Sequence, residues 1–319
     1  MGQLHAARLQ RLPNVAVKLV ADADPVAAAN VARALGAEPV SLDAAVADDS
    51  VRAVIISSPT PTHAELSIRA LEAGKAVFVE KPLAHDLEAA DRTVAAVRAT
   101  GGQLQVGFQR RYDPAYQEAR RQIDTGQLGR IEGFRGVGRD TRAPPVSFLA
   151  TSGGIFLDMG IHDLDAARFL VGEVEEVYAT GGAISDPALA EHGLYDTAVA
   201  TLKFASGAIG TLEVALNSVW GYDIRTEVVG SQGRVSIDME SRWHLKRYGP
   251  YGSVQERPPD FESRFSDAYL HELEAFAHNV LAGRPVAPDA EDGRESLRLA
   301  MAAQQSLETG KVVRSSEVG

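Results

Sequence analysis

Apolar segments and helical segments alternate strictly over the first third of the chain, and this alternation limits the folds it can adopt. The segment 51–59, VRAVIISSP, is nearly continuous in apolar residues, which is typical of a strand buried on both faces of a parallel sheet. The segments 75–82 (KAVFVEKP) and 103–114 (QLQVGFQRRYDP) have the same character, and helical segments separate them. Because strand–helix alternation builds parallel sheets, we expect a doubly wound α/β domain over residues 1–112.

The alternation of strands and helices begins with a helix at the amino terminus of the sequence. The segment 1–12, MGQLHAARLQRL, is predicted to be helical, and the strand VAVKLVADA follows at 15–23. The residues expected on the buried side of the helix are Leu4, Ala7, Leu9 and Leu12. A helix, a strand and then Asp22 correspond to the second half of a dinucleotide-binding unit. The first strand and the glycine-rich turn of such a unit are missing, so we expect the strands on both sides to lack a ladder partner.

From residue 113 onward the pattern changes to that of an α+β domain. Helices are expected at 116–126 and 152–172, with a strand at 129–140 between them. Between 174 and 238 strand follows strand with SG and SQG turns, which favours a large, mostly antiparallel sheet with a covered face. Two amphipathic helices close the chain. We therefore assign residues 113–319 to a second domain, whose C-terminal helices could pack back on the first.

Composition and charge exclude several classes of protein. The chain of 319 residues contains no cysteine, which excludes disulfides, thiolate metal sites and cysteine nucleophiles. A net charge of −11 disfavours a nucleic-acid partner, which requires a basic face. No apolar run approaches the roughly 18 residues that a membrane span needs, and the first residues have no signal pattern. We expect a cytoplasmic protein that acts on small molecules, with no nucleic-acid or membrane partner.

Two segments place reactive side chains where they could carry chemistry. Lys81, in VEKPL, follows a predicted parallel strand, and ligands of open α/β sheets bind at that edge; the alternative is a surface lysine beside a turn. Asp158 and His162 are four residues apart in a predicted helix and would share a face, with Asp165 one turn further on. This pair indicates either function or a hydrogen-bonded structural pair. No other cluster would complete a metal site, so we expect none.

Two further loops follow predicted strands. The run from Ser57 to Thr60 either lines the ribose and nicotinamide of a cofactor or consists of ordinary turn residues. His63 begins the next helix and either joins that lining or caps the helix. Arg110 and Arg111 end a strand at the same edge, where they either bind a phosphate or carboxylate group or form a solvated pair.

The order of these motifs is more specific than any of them alone. EKP, then GF-x-RRYDP, then SGGIF-x-DM-x-IHD-x-D resembles the sequence pattern of the Gfo/Idh/MocA oxidoreductases. Later stretches, among them DTAVATLKFASGAIGTLE and RFSDAYLHELEAF, resemble the inositol 2-dehydrogenases of that family. The resemblance covers nearly the whole chain. It implies a Rossmann domain at 1–112, a second domain for substrate binding and oligomerisation, and a homo-oligomer, with a tetramer as the expected size.

The resemblance also implies catalytic roles for Lys81, Asp158 and His162. His162 would take the hydroxyl proton of a secondary alcohol as hydride leaves to nicotinamide, and Lys81 would stabilise the developing alkoxide. Asp158 would bind a neighbouring hydroxyl and orient the ring. Further substrate contacts are expected from Arg139, Asp140, Tyr222 and Asp223.

The expected cofactor is NAD. Gly2 matches the third glycine of the family's G-x-G-x-x-G turn, and Asp22 lies about 20 residues beyond it, where an acid binds the ribose hydroxyls. A carboxylate there repels a 2′-phosphate, which makes NADP the less favoured cofactor; Asp24 is the second candidate for this role. The expected cofactor contacts are Gly2, Asp22, Ser57, Ser58, Pro59, Thr60, His63, Glu80, Lys81, Gln109 and Arg110. The same comparison predicts a true start roughly ten residues upstream, and weak cofactor binding and poor stability without those residues.

Three functions are consistent with these residues. The leading interpretation is NAD-dependent oxidation of a secondary ring hydroxyl of a polyol, with conversion of myo-inositol to a keto-inositol as the first candidate. The second is a dehydrogenase of another sugar or of an amino-inositol. The third, of a different class, is a catalytically idle member of the family that binds a ligand or a partner.

Overall fold

The computed structural model describes residues 1–238 and 246–319. The α-helices of these residues are, in chain order, α1 (Gly2–Leu9), α2 (Pro25–Leu35), α3 (Leu42–Ala47), α4 (His63–Glu72), α5 (Leu87–Thr100), α6 (Pro114–Asp124), α7 (Val146–Leu149), α8 (Ile161–Val171), α9 (Phe261–Arg264), α10 (Ser266–Ala282) and α11 (Ala290–Thr309). The strands are β1 (Leu19–Val20), β2 (Glu38–Pro39), β3 (Ala53–Ile56), β4 (Ala76–Glu80), β5 (Leu104–Gly107), β6 (Ile131–Arg139), β7 (Val174–Gly182), β8 (Thr197–Phe204), β9 (Ile209–Ala215), β10 (Asp223–Gly230), β11 (Gly233–Ile237), β12 (Lys246–Gly249), β13 (Gly252–Gln255) and β14 (Val313–Arg314).

The chain divides into two compact units, which are described separately. The first unit contains Met1–Tyr112 and Asp267–Leu297, and the second contains Asp113–Ser266 and Arg298–Gly319. Most of α10 therefore belongs to the first unit. None of the described helices is both long enough and apolar enough to cross a membrane.

The parallel strands of the first unit form two separate sheets. β1 pairs with β2, and β3, β4 and β5 form a three-stranded sheet in that order. In a doubly wound sheet of order 3-2-1-4-5-6, β1 and β3 would lie on either side of the first strand. Among the described residues β1 pairs only with β2 and β3 only with β4, which confirms the expected loss of ladder partners on both sides.

The strands of the three-stranded sheet are buried to different degrees. Every residue of β4 and of β5 is buried. In β3 only Ile56 is buried, so the prediction of complete burial for 51–59 is wrong. The strand predicted at 15–23 is also reduced to Leu19–Val20, the two residues that pair with Glu38 and Pro39 of β2.

Helix α1 is shorter than predicted, and its buried side is different. It ends at Leu9, and Ala7 is exposed, whereas His5 is buried with 1% of its surface accessible. The predicted Leu4, Leu9 and Leu12 are buried. Leu9 and Leu12 belong to an apolar cluster in which α10 packs on β4; its members are Leu9, Leu12, Ala76, Phe78, Leu273, Phe276 and Val286.

Helix α2 has a helix-terminus signal in its sequence at each end. The Asp24 side chain accepts a hydrogen bond from the Val26 N–H at 2.8 Å, and Pro25 occupies the first helical position. Gly36 follows the last turn with φ 68°, a left-handed conformation that glycine adopts without steric cost. Capping of this kind explains why this helix could be located from sequence alone.

The second unit is built on a seven-stranded sheet of order β11-β10-β6-β9-β8-β7-β14. Every neighbouring pair is antiparallel except β6 and β9, which confirms the mostly antiparallel sheet. Along β8 the buried side chains alternate with exposed ones, and Val199 on the open face is 42% accessible. The hairpin of β12 and β13 and the edge strand β14 were not predicted, because none of them has a long apolar pattern.

Two glycines that face each other across β10 and β11 test how tightly this sheet is packed. A Cβ added to Gly230 would lie 2.2 Å from the carbonyl oxygen of Leu128, whereas one added to Gly233 would meet no atom within 4 Å. We expect Gly230→Ala to lower the free energy of unfolding by about 1–3 kcal/mol, because backbone must move. Gly233→Ala should change it by less than about 0.5 kcal/mol. Urea unfolding of both variants measures this, and equal effects would contradict the close approach.

Candidate active site

Three loops of the first unit come together because the strands before them are parallel. In the sheet register Ile56 lies beside Val79, and Glu80 lies beside Gly107. The carboxyl ends of β3, β4 and β5 are therefore at one edge, where ligands of open α/β sheets bind. The predicted groups that follow these strands are Ser57–Thr60, Lys81, and Gln109 with Arg110.

The first turn of α1 lies against the loop that follows β3. A Cβ added to Gly2 would be only 3.0 Å from Ser57 Oγ, closer than side chains normally approach. Gly2 thus allows a close approach between a helix start and a strand end, as expected of the third glycine in a dinucleotide-binding turn. The space that a Cβ at Gly2 would fill is consistent with a dinucleotide bound at this edge.

The two acids after β1 have different tasks. One oxygen of Asp24 caps α2, and the Asp24 N–H donates to Asp22 Oδ1 at 2.9 Å. Both residues are exposed. Because Asp24 is committed to the helix cap, Asp22 is the better candidate of the two for ribose hydroxyls.

His63 joins two of the loops instead of capping its helix. It is 1% exposed, and its ring nitrogens lie 2.8 Å from the carbonyl oxygens of Pro82 and Ser58. Both neighbours are carbonyl oxygens, which accept hydrogen bonds from ring N–H groups. His63 holds the loop after β3 against the turn that contains Lys81. The capping alternative is wrong, and neither ring nitrogen is left for a cofactor.

Lys81 follows directly after the buried strand β4, and Glu80 fixes its main chain. The Lys81 N–H donates to Glu80 Oε2 at 3.2 Å. The other Glu80 oxygen, Oε1, lies 2.5 Å from His5 Nε2 inside the unit. Burial alone would raise the pKa of Glu80, but the His5 hydrogen bond and nearby positive charges lower it overall. Both oxygens of this buried carboxylate thus have donors within the protein, and a cofactor contact of Glu80 stays a prediction.

Gln109 and Arg110 are buried, each with 2% of its surface accessible. Gln109 Oε1 has no hydrogen-bond partner among the described residues, so it is an acceptor available to a ligand. Arg111 forms an ion pair with Asp292 at 3.1 Å, and its side chain is 12% accessible. The alternative of a solvated arginine pair is therefore wrong.

In the second unit, Asp158 and His162 lie on two kinds of helix. Phe156–Gly160 forms a π-helical turn that carries Asp158, and α8 begins directly after it with His162 as its second residue. The single α-helix predicted at 152–172 is corrected: residues 152–154 lie outside it, and Gly153 and Gly154 have φ of 84° and 106°. π-helical turns inside α-helices occur frequently at functional sites.

A group of three carboxylates surrounds this helix start. Burial raises the pKa of Asp140, a hydrogen bond from the Thr141 N–H at 2.8 Å opposes this, and repulsion by Asp158 and Asp260 raises it further. The charges of Asp158 and Asp260 therefore act on the predicted Asp140. Asp260 was not predicted, because its sequence signal is that of a helix cap, and it does accept from the Ser263 N–H at 2.8 Å.

Arg139 does not join this group, which corrects its assignment as a substrate contact. Successive residues of a strand point to opposite faces, and Gly138 faces α8, since a Cβ there would lie 2.6 Å from Asp163 Oδ2. Arg139 therefore lies on the other face of the sheet, where it pairs with Glu213 and stacks 5.2 Å above the ring of Trp220.

Tyr222 and Asp223 begin β10, and both are buried. The Tyr222 ring packs edge-on against Phe265 at 6.4 Å. Asp223 accepts hydrogen bonds from Trp220 Nε1 at 3.1 Å and from Arg225 Nε at 2.9 Å. Asp223 is thus occupied within the sheet, which corrects its prediction as a substrate contact, whereas the role of Tyr222 stays a prediction.

Comparison with known sequences identifies the family of this chain. Residues 1–108 match the Gfo/Idh/MocA model described as an oxidoreductase family with an NAD-binding Rossmann fold. Residues 120–314 match the model of the C-terminal alpha/beta domain of the same family. The chain belongs to the Gfo/Idh/MocA oxidoreductase family. The resemblance predicted from the order of the motifs is confirmed, as is the combination of a Rossmann domain with an α/β domain.

Several relatives are named inositol dehydrogenases. The chain is 40% identical to scyllo-inositol 2-dehydrogenase (NAD(+)) of Bacillus subtilis, covering 98% of this chain and 93% of the relative. It is 37% identical to myo-inositol 2-dehydrogenase of Thermotoga maritima, covering 100% and 96%. Among solved structures, scyllo-inositol dehydrogenase from Lactobacillus casei with bound NAD(H) and scyllo-inositol matches with a TM-score of 0.94 and 30% identity, covering 99% and 96%.

The bridging contacts of His63 give a test that does not depend on activity. We expect His63→Ala to lower the free energy of unfolding by about 2–4 kcal/mol, because two buried carbonyls lose their donor and a cavity forms. His278→Ala, at an exposed position of α10, is the matched control and should have little effect. Denaturant unfolding measures both variants; equal stabilities would show that His63 does not hold the two loops.

Proposed function

We propose that the protein is an NAD-dependent inositol 2-dehydrogenase that oxidises a secondary ring hydroxyl of myo-inositol to a ketone. The observation that carries this proposal is that Lys81, Asp158 and His162 are all present in a chain similar over nearly its whole length to enzymes named for this reaction. The position of Lys81 at the carboxyl edge of the parallel sheet supports it, as does the carboxylate group around Asp158.

The proposed chemistry follows from the charge that develops on the reacting oxygen. NAD, when bound, would supply nicotinamide as the hydride acceptor. The His162 imidazole would take the hydroxyl proton, a step typically worth about 10²–10⁴-fold. The Lys81 ammonium would donate a hydrogen bond to the same oxygen and stabilise its negative charge. Asp158 and Asp140 would accept hydrogen bonds from neighbouring hydroxyls, which suits a ligand that carries a donor on every ring carbon.

The residues proposed to hold NAD come from several elements of the first unit. Gly2 and Ser57 would face the phosphates, and Asp22 the adenine-side ribose. Loop residues Ser58, Pro59 and Thr60 would line the nicotinamide half, with Gln109 and Arg110 beside them. Asp22 is exposed and has no arginine directly after its strand, which favours NAD over NADP.

Two other functions remain as outcomes of the same assay. A dehydrogenase of another sugar or of an amino-inositol would use the same residues on a different ring. An idle family member would bind ligand without turnover. We also propose a homo-oligomer, with a tetramer as the expected size, and a cytoplasmic location.

Catalysis is tested by following reduced cofactor with NAD and a panel of inositols and sugars. We expect activity on myo-inositol, a loss of roughly 10²–10⁴-fold in kcat for His162→Ala, and a comparable loss for Lys81→Ala. Lys311→Ala and His192→Ala, both at exposed positions, are the controls and should retain activity. Activity on other rings alone would indicate the second function, and absence of both NAD binding and turnover would refute the enzyme proposals.

Cofactor choice is tested at Asp22. Replacing this carboxylate by asparagine removes the repulsion of a 2′-phosphate, so Asp22→Asn should lower the NAD over NADP preference in kcat/KM by at least about tenfold. Glu38→Gln is an exposed control on the neighbouring strand. A wild-type preference for NADP, or an unchanged ratio in Asp22→Asn, would overturn this role.

A further inference from the structure

Three ionisable side chains from distant parts of the sequence meet inside the first unit. They are His5 from α1, Glu80 from β4 and Glu272 from α10, and one nitrogen or oxygen of each lies within 4.8 Å of the others. Their accessible fractions are 1%, 6% and 0%. The rings of Phe78 and Tyr269 pack against His5 with centroid distances of 5.3 and 6.1 Å. Two carboxyl groups and one imidazole therefore share a buried site.

The two carboxyl groups have opposite surroundings. Glu80 accepts from His5 Nε2 at 2.5 Å and from the Lys81 N–H at 3.2 Å, and donors of this kind stabilise a carboxylate anion. Neither oxygen of Glu272 has a hydrogen-bond partner among the described residues. A charged carboxylate without donors in an apolar site is very unfavourable, so Glu272 is unsuited to be an anion.

The electrostatic balance of each group agrees with this geometry. Burial opposes ionisation of Glu80, but His5 outweighs it with help from Lys81 and His63, so the pKa of Glu80 is lowered. Burial raises the pKa of Glu272 well above its usual range, and the neighbouring Glu80 raises it further, with Arg8 as the opposing charge.

We propose that, of the two carboxyl groups in this cluster, Glu80 is the anion and Glu272 is a neutral acid, and that Glu80 is the positioning residue for Lys81. The Glu80 side chain has little freedom to leave this position, because it passes over Gly107, where an added Cβ would be 3.3 Å from Glu80 Cδ. A neutral Glu272 does not compete with Glu80 for its two donors, His5 Nε2 and the Lys81 N–H. The charge assignment stands independently, whereas the positioning role rests on the proposed function of Lys81.

The charge assignment is tested by infrared spectroscopy and thermal unfolding, which need no activity. The wild type at neutral pH should show the carbonyl stretch of a protonated carboxylic acid. That band should disappear in Glu272→Gln and persist in Glu80→Gln and in the control Glu274→Gln, which is exposed on the same helix. Persistence of the band in Glu272→Gln would overturn the assignment.

The pH dependence of stability has a definite sign. Because the pKa of Glu272 is raised in the folded state, the folded protein binds more protons than the unfolded chain above a pH of about 4.3, and stability falls as pH rises toward the folded pKa. Glu272→Gln removes this loss, so the Tm difference between this variant and the wild type should change in favour of the variant as pH rises above about 4.3. A lower Tm for Glu272→Gln, with a wild-type Tm that falls on adding EDTA, would instead indicate a bound divalent cation and refute the proposal.

The positioning role is tested by kinetics on the same variants. Glu80→Gln keeps the shape but removes the anion, so we expect kcat to fall roughly 10²-fold with a smaller change in KM. Glu272→Gln should stay within about twofold of the wild type. Equal losses of kcat in Glu80→Gln and Glu272→Gln would refute the positioning role of Glu80, whatever the result for Lys81→Ala. A wild type without activity would refute only this positioning role, which depends on the proposed function of Lys81, and not the charge assignment.

Discussion

The parallel pairing of β3, β4 and β5 is the constraint on which the first half of the site depends. Parallel strands end at the same edge, so strand pairing alone makes neighbours of polar residues that are far apart in sequence. Lys81 follows directly after β4, a strand that is buried along its whole length. A slip of one residue in this register would turn Glu80 to the opposite face and break its contact with His5.

In the second unit, successive side chains of a strand point to opposite faces of the sheet, and this decides which of them can share a site. Gly138, Arg139 and Asp140 are consecutive, yet Arg139 pairs with Glu213 on the face away from α8, while Asp140 lies near Asp158. Sequence proximity therefore says little about which side chains share a site. What decides is the face of the sheet, and that is known only when the covering helix has been located.

How much of the structure could be predicted from the sequence depends on how far apart in sequence the interacting residues are. Helix α2 and the order of strands were predictable because caps, glycines and apolar periodicity act over a few residues. The burial of His5 was not, because Glu80 and Glu272 that surround it are contributed by distant elements. The π-helical turn at Asp158 was missed because its sequence resembles an ordinary amphipathic helix. Family motifs supplied candidate residues without their surroundings, as Glu80 and Arg139 demonstrate.

The two units handle negative charge in contrasting ways, and the contrast is consistent with a polyol substrate. In the first unit the Glu80 carboxylate accepts hydrogen bonds from groups of the protein itself, so its negative charge is stabilised without a ligand. In the second unit Asp140 repels Asp158 and Asp260, and the Thr141 N–H only partly offsets this. Hydroxyl donors of a ligand would relieve that repulsion by hydrogen bonding to the carboxylates. A neutral polyhydroxylated ring therefore suits this group better than a carboxylic acid, which would add a further negative charge to it.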